Sequence, residues 1–160
     1  MLTAAFPGSF DPPTLGHLDV VNRAASLFGN ILVVVAENPR KKYLFSLDER
    51  VCMMRELTAG HKNISVASCE SLVVDFLRDR GVKLMIRGVR GTEDFSYEFE
   101  ISMMNKVLDP KIETIFMTTD PKYFVLRSST VKELASFQGD VSSMVPPLVA
   151  QALKIKNRVR

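Results

Sequence analysis

Residues 2–36 read LTAAFPGSFDPPTLGHLDVVNRAASLFGNILVVVA. Leu2 to Phe6 is short, apolar and strand-like. Leu18, Val21, Ala25 and Phe28 recur at helical spacing, and Gly29 stands where a helix C′ residue is expected. Ile31 to Ala36 is a continuous run rich in β-branched residues, the pattern of a strand buried on both faces. The alternation continues outward from there. Ser46-Leu-Asp-Glu49 is a capping box, opening a helix that carries Val51, Met54 and Leu57. Ile64 to Ala67 reads as a strand, Leu72 to Arg80 as a helix stopped by Gly81, and Val82 to Ile86 as the next strand. Glu93 to Leu108 is a longer helix, with Thr92 as cap and Asp109-Pro110 as its end. Glu113 to Met117 is a fifth strand. Thr130-Val-Lys-Glu133 predicts a second capping box, for a helix to about Phe137, and Pro146-Pro147 the start of a last helix to the C-terminus. Five strands alternating with helices over short links make an α/β fold: one doubly wound, Rossmann-like domain over 1–160, with a five-stranded parallel sheet and a C-terminal helical segment.

The 160 residues fit one such domain, and 46% apolar with 24% charged residues is a globular balance. The longest strongly apolar run, Ile31 to Ala36, is far short of the roughly 20 residues a bilayer needs. The first residues lack a basic region and a long apolar core, so no secretory signal is expected. Cys52 and Cys69 form no Cys-x-x-Cys pair and read as free thiols in a reducing cytoplasm. A net charge of +3 is too mild to demand nucleic acid, and the tail Lys154, Lys156, Arg158 and Arg160 reads as a solvated end.

Sheets of this kind bind ligands beyond the carboxyl ends of their strands, where the strand order reverses. Pro7-Gly-Ser-Phe-Asp-Pro-Pro-Thr-Leu-Gly-His17 follows the first strand, Glu37-Asn-Pro-Arg-Lys-Lys42 the second, Arg87-Gly-Val-Arg-Gly91 the fourth, and Thr118 to Ser129 the fifth. That edge is positive and suited to phosphates. Gly16-His17 opens a helix whose free N–H groups attract anions, with His17 as an added donor; the alternative is a loop with an incidental capping histidine. Arg40-Lys41-Lys42 is either a phosphate site or a solvated turn. Arg87 and Arg90, three apart around a glycine, suit bidentate phosphate binding. Glu98 could accept from a ribose, hold an arginine, or be solvated. Phe95 and Phe99, an i, i+4 pair, are expected to face the core, as are Met103 and Met104. No Cys/His/Asp cluster has structural-zinc spacing.

Together these stretches resemble the bacterial phosphopantetheine adenylyltransferases, a family of the nucleotidyltransferase superfamily that carries a [His/Thr]-x-Gly-His motif. The resemblance rests on Pro7-Gly-Ser-Phe-Asp-Pro with Thr14-Leu-Gly-His17, Lys41-Lys42, Ile86-Arg-Gly-Val-Arg90, Asp94-Phe-x-Tyr-Glu98 with Met104-Asn105, and Ser128-Ser-Thr-Val-Lys132, in order along the whole chain. It implies transfer of the adenylyl group of ATP to 4′-phosphopantetheine, giving dephospho-coenzyme A and pyrophosphate, with Mg²⁺ whose ligands the sequence leaves unassigned. It also implies a cytoplasmic homohexamer, with coenzyme A as a feedback ligand and neither nucleic acid nor membrane as partner.

By the same resemblance, His17 stabilises the transition state and Ser9 orients both reacting groups, beside Phe10; the family carries Thr or Ser at the Ser9 position. Lys41 and Arg87 hold the phosphate of phosphopantetheine, while Gly88, Val89, Arg90 and Glu98 contact ATP. Tyr123, Phe124, Val125, Leu126, Arg127, Ser128 and Ser129 wrap the nucleotide. The pantetheine arm runs near Leu72, Val73, Met104 and Asn105. The family commonly reads Ile-Ser-Ser-Ser/Thr where this chain has Leu126-Arg-Ser-Ser-Thr130, so Arg127 replaces a small hydroxyl. The alternatives are a related enzyme acting on nicotinamide mononucleotide or a polyol phosphate, and a catalytically silent nucleotide- or RNA-binding module.

Overall fold

The computed structural model describes residues 2–158. Five strands alternate with helices in chain order: β1 (Thr3–Gly8), α1 (Leu15–Leu27), β2 (Asn30–Ala36), α2 (Leu47–Thr58), β3 (Ile64–Cys69), α3 (Val73–Asp79), β4 (Leu84–Val89), α4 (Thr92–Leu108) and β5 (Glu113–Thr118). A short 3₁₀ turn (Pro121–Tyr123) leads to α5 (Ser128–Ser136) and α6 (Pro147–Arg158). The sheet is parallel throughout, in the order β3-β2-β1-β4-β5. The doubly wound reading holds, and the order reverses between β1 and β4.

Strand periodicity sorts the core onto the two faces. Ala4, Phe6, Ile31, Val33 and Val35 pack with α1 and α2. Ala5, Leu32, Val34 and Met85 pack on the other face with α3. A third cluster joins α2 to α5 and α6 through Met53, Val131, Val145, Val149 and Leu153.

β1 pairs with β2 along its whole length but with β4 only at Ala4–Leu84 and Ala5–Met85. Past that point the two central strands part, and the cleft between their ends holds the candidate site.

Several boundaries move. β4 runs three residues beyond Ile86, because Arg87, Gly88 and Val89 pair with Phe116, Met117 and Thr118 of β5. Arg87 therefore stands on a strand, not after one. α5 starts at Ser128 with Arg127 as its cap, so Thr130-Val-Lys-Glu133 lies inside the helix. Ser128 Oγ donates to the Pro12 carbonyl, which draws the start forward. Gly91, not Thr92, caps α4. Phe28 ends α1 in an extended conformation, and among the described glycines Gly81 alone takes a left-handed φ, so Gly29 does not act as a left-handed cap. In the tail, Lys156 pairs with Glu49 and pulls that carboxyl below its usual range; Arg160 lies outside the described residues.

The largest departure is α4. Phe95 and Phe99 are 43% and 45% exposed, and Met103 and Met104 are exposed as well. Ser102 is the one buried residue of this helix among those described. The spacing predicts a core face, yet among the described residues the stripe is left largely open, with the Phe116 ring of β5 meeting Phe95 at 5.1 Å.

Candidate active site

β1 delivers the first loop. Gly8 lies so close under Phe10 that a Cβ there would stand 2.9 Å from the ring, which is why the position takes no side chain. Thr14 then caps α1: its hydroxyl accepts from the His17 amide, while the Thr14 N–H donates to His17 Nδ1 at 3.0 Å. This is a capping box with histidine in the place of the usual Glu or Gln. Because Nδ1 accepts that hydrogen, the neutral ring carries its proton on Nε2, the nitrogen opposite the cap. The ring also meets the edge of Phe10, with centroids 5.1 Å apart. The His17 pKa is lowered to about 4, first by desolvation and then by the charge of Arg90. His17 is thus a neutral, oriented donor at neutral pH.

β4 and the residue that follows it supply two arginines, each held by a carboxylate of α4. Arg87 Nε and Nη2 donate to the two oxygens of Glu98 at 2.6 and 2.7 Å, and Nη1 donates to the Pro7 carbonyl at 3.0 Å, across the gap where β1 and β4 part. Arg90 donates to Asp94 at 2.7 Å and to the Leu126 carbonyl at 2.6 Å, tying β4 to the segment before α5. Of the roles left open for Glu98, holding an arginine is the one seen here. The helical spacing of Asp94 and Glu98 puts both carboxylates on the α4 side that faces β4.

These groups line a cavity of about 500 Å³ over the strand ends. Ser9, Phe10, His17 and Lys41 border it, as do Arg87, Gly88, Arg90 and Glu98. Leu126 and Arg127, just before α5, and Ser128 and Ser129 in its first turn close it on the other side. A second recess of about 520 Å³, beside Leu72 and Val73, shares Ser9, Lys41 and Arg87 with the first. The other sequence candidates stand outside both. Val89 is buried, Tyr123 packs over Gly16, and Phe124 and Val125 are exposed. Asn105 is bonded to Met85 Sδ at 3.7 Å.

Arg127 stands exposed at the cavity rim and caps α5 without a side-chain hydrogen bond. Sequence reasoning assigned no role to Thr14, Asp11 or Lys132, all of which border the cavity. Thr14-x-x-His17 has the spacing of a capping box, but histidine stands where that motif carries Glu or Gln. Asp11 and Lys132, paired at 2.8 Å, are 121 positions apart and carry no local signal.

Among the described residues no three His, Cys, Asp or Glu side chains cluster as metal ligands. The cavity's carboxylates, Asp11 and Glu98, are both engaged by cations. Such a donor set fits a divalent cation carried in on phosphate oxygens rather than one caged by the protein.

A family model described as cytidylyltransferase-like matches residues 5–134. The phosphopantetheine adenylyltransferase of Heliobacterium modesticaldum is 50% identical over 93% of this chain and 89% of its own length. That of Clostridium botulinum strain Langeland is 46% identical over 98% and 95%. A solved structure from Vibrio parahaemolyticus, bearing the name of a nicotinate-nucleotide adenylyltransferase, superposes with a TM-score of 0.67 at 16% identity, over 96% of this chain and 92% of that one. At that identity it speaks for the fold alone.

Proposed function

This chain belongs to the phosphopantetheine adenylyltransferases of the cytidylyltransferase-like family, and we propose from that footing how its residues divide the work. The enzyme transfers the adenylyl group of ATP to 4′-phosphopantetheine, giving dephospho-coenzyme A and pyrophosphate. The observation that carries the assignment of roles is the overlap of the two cavities: Ser9, Lys41 and Arg87 border both.

The phosphate of phosphopantetheine occupies that overlap, held by Lys41 and Arg87, with its arm along Leu72 and Val73. ATP fills the cavity beside Gly88, Arg90, Ser128 and Ser129, its α-phosphate next to Ser9 and His17. The attacking phosphate monoester has a second pKa of about 6 and is mostly dianionic at neutral pH. It needs no general base. What the protein must do is hold two anions in line and stabilise charge as it gathers on the α-phosphate oxygens. His17 Nε2–H donates there, and its low pKa does not impair it, because a neutral imidazole still has one donor. Glu98 and Asp94 keep the Arg87 and Arg90 guanidiniums aimed before substrate arrives. With Asp11 and Glu98 both engaged by cations, the residues here would hold a magnesium ion only by way of the bound nucleotide, where it would supply neutralisation of part of the triphosphate charge.

The same reading makes the protein a cytoplasmic homohexamer that binds coenzyme A as a feedback ligand, with neither nucleic acid nor membrane as partner. In support of self-association, Phe95, Phe99, Met103 and Val107 form an exposed apolar stripe along α4 at i, i+4 spacing, with Ile115 exposed on β5. No helix among the described residues is long and apolar enough to cross a membrane.

With Mg²⁺, pyrophosphate should be released from ATP only when 4′-phosphopantetheine is present, and unphosphorylated pantetheine should fail. Equal or faster release with nicotinamide mononucleotide would overturn the substrate reading.

A further inference from the structure

Phe10 is not a glycine, yet it sits at φ 49°, in the left-handed region. Such a conformation is unfavourable for a residue with a side chain and persists where its surroundings over-determine it. The surroundings here are two buried charges, one on either side of Phe10. The Ser9 carbonyl accepts from Arg50 Nη1 at 2.8 Å. The Asp11 carboxylate, 4% exposed, accepts from the Leu44 N–H at 3.0 Å, the Phe45 N–H at 3.0 Å and Lys132 Nζ at 2.8 Å.

Arg50 comes from α2 and is completely buried. Besides Ser9 it donates to the carbonyls of Ala36 at 3.1 Å and Phe45 at 3.2 Å and to the Glu37 carboxylate. The Tyr43 ring covers the guanidinium at 4.0 Å. Phe45 is therefore gripped at both ends of its backbone, its N–H by Asp11 and its carbonyl by Arg50. Two loops are sewn together: Ser9–Asp11, and the Tyr43–Phe45 segment just after Lys41. Buried ion pairs add little net stability over well-packed apolar residues, but they impose direction.

We propose that Arg50 and Asp11 are positioning residues that set the distance between the two reacting phosphates, one held from the Ser9–His17 loop and one from the Lys41 loop. The inference rests on the assignment of those loops to ATP and phosphopantetheine. Neither residue needs to strengthen the binding of a single substrate. Each acts only when both substrates are bound and must meet in line.

The test uses Asp11→Asn and Arg50→Lys. The first keeps the shape but can no longer accept three donors. The second keeps the charge, but one ammonium cannot serve four acceptors lying in different directions; it also leaves Lys132 untouched. Expected for each is a kcat lower by roughly 10–100-fold, the scale of an ångström of misplacement. The dissociation constants of ATP alone and phosphopantetheine alone, measured by calorimetry, should stay within about threefold. The double variant should lose no more than the worse single one, since both grip Phe45. An unchanged kcat in folded variants, or a loss wholly accounted for by weaker binding of one substrate, overturns the proposal. So does the failure of both variants to fold, which would assign these contacts to the fold. If the unaltered enzyme released no pyrophosphate with phosphopantetheine, the functional reading would fall instead.

Discussion

Lowering the pH should destabilise this protein through His17 in a way that one substitution can isolate. In the unfolded chain the imidazole titrates near 6.5, and in the folded protein at about 4. Between those values the unfolded state binds more protons, so stability falls as the pH drops below about 6.5, and the loss is complete near pH 4. At about 1.4 kcal/mol per pH unit the whole effect is about 3 kcal/mol, of which about 2 kcal/mol has gone by pH 5. His17→Gln removes the titration and keeps the cap, because Gln is an ordinary N3 residue of a capping box. Urea unfolding at one fixed protein concentration measures the difference. Far-UV circular dichroism is the suitable probe, since the chain has no tryptophan. Carboxylates such as Glu49, held low by Lys156, lose stability in both proteins as the pH falls and cancel. The gap between the two proteins should change by about 2 kcal/mol from pH 7 to pH 5, at the expense of the unaltered protein. Parallel curves would refute the half-buried, neutral His17 and the tautomer argument that rests on it.

Lys41→Ala should weaken 4′-phosphopantetheine by about tenfold or more, the worth of one charge-assisted contact, and ATP far less. Arg90→Ala should do the reverse, and calorimetric titration showing equal losses for both ligands in both variants would mean the clusters are misassigned. Arg127→Ser should change the ATP dissociation constant by less than about threefold, as exposed charges commonly do. A tenfold weakening that shrinks at high salt would instead make the rim arginine an ATP ligand peculiar to this chain.

What could be read along the chain was whatever a few neighbouring residues encode. The β-branched run at Ile31–Ala36, the Ser46–Glu49 capping box and the stop at Gly81 are local signals, and each appears in the fold where it was read. The loops proposed to bind phosphate were legible for the same reason, because Gly16-His17 opens the helix after β1, Lys41 follows β2 and Arg87-Gly-Val-Arg90 spans the end of β4, all places that periodicity marks. Even His17's cap lies within four residues, although histidine at that position hid it.

Partners brought together from far along the chain were not legible. Arg87 finds Pro7 across 80 positions, and Asp11 finds Lys132 across 121. Arg50 looks like any helical arginine until α2 is laid against β2 and the Ser9 loop. Local spacing also misread α4, because a 3.6-residue period says which side of a helix is apolar and not what covers it. Sequence by itself determined the elements and the chemistry available at the strand ends. Only the tertiary structure decided which side chains meet, because hydrogen-bond partners and burial depend on strand order and on the parting of β1 from β4, and no short window of sequence contains either.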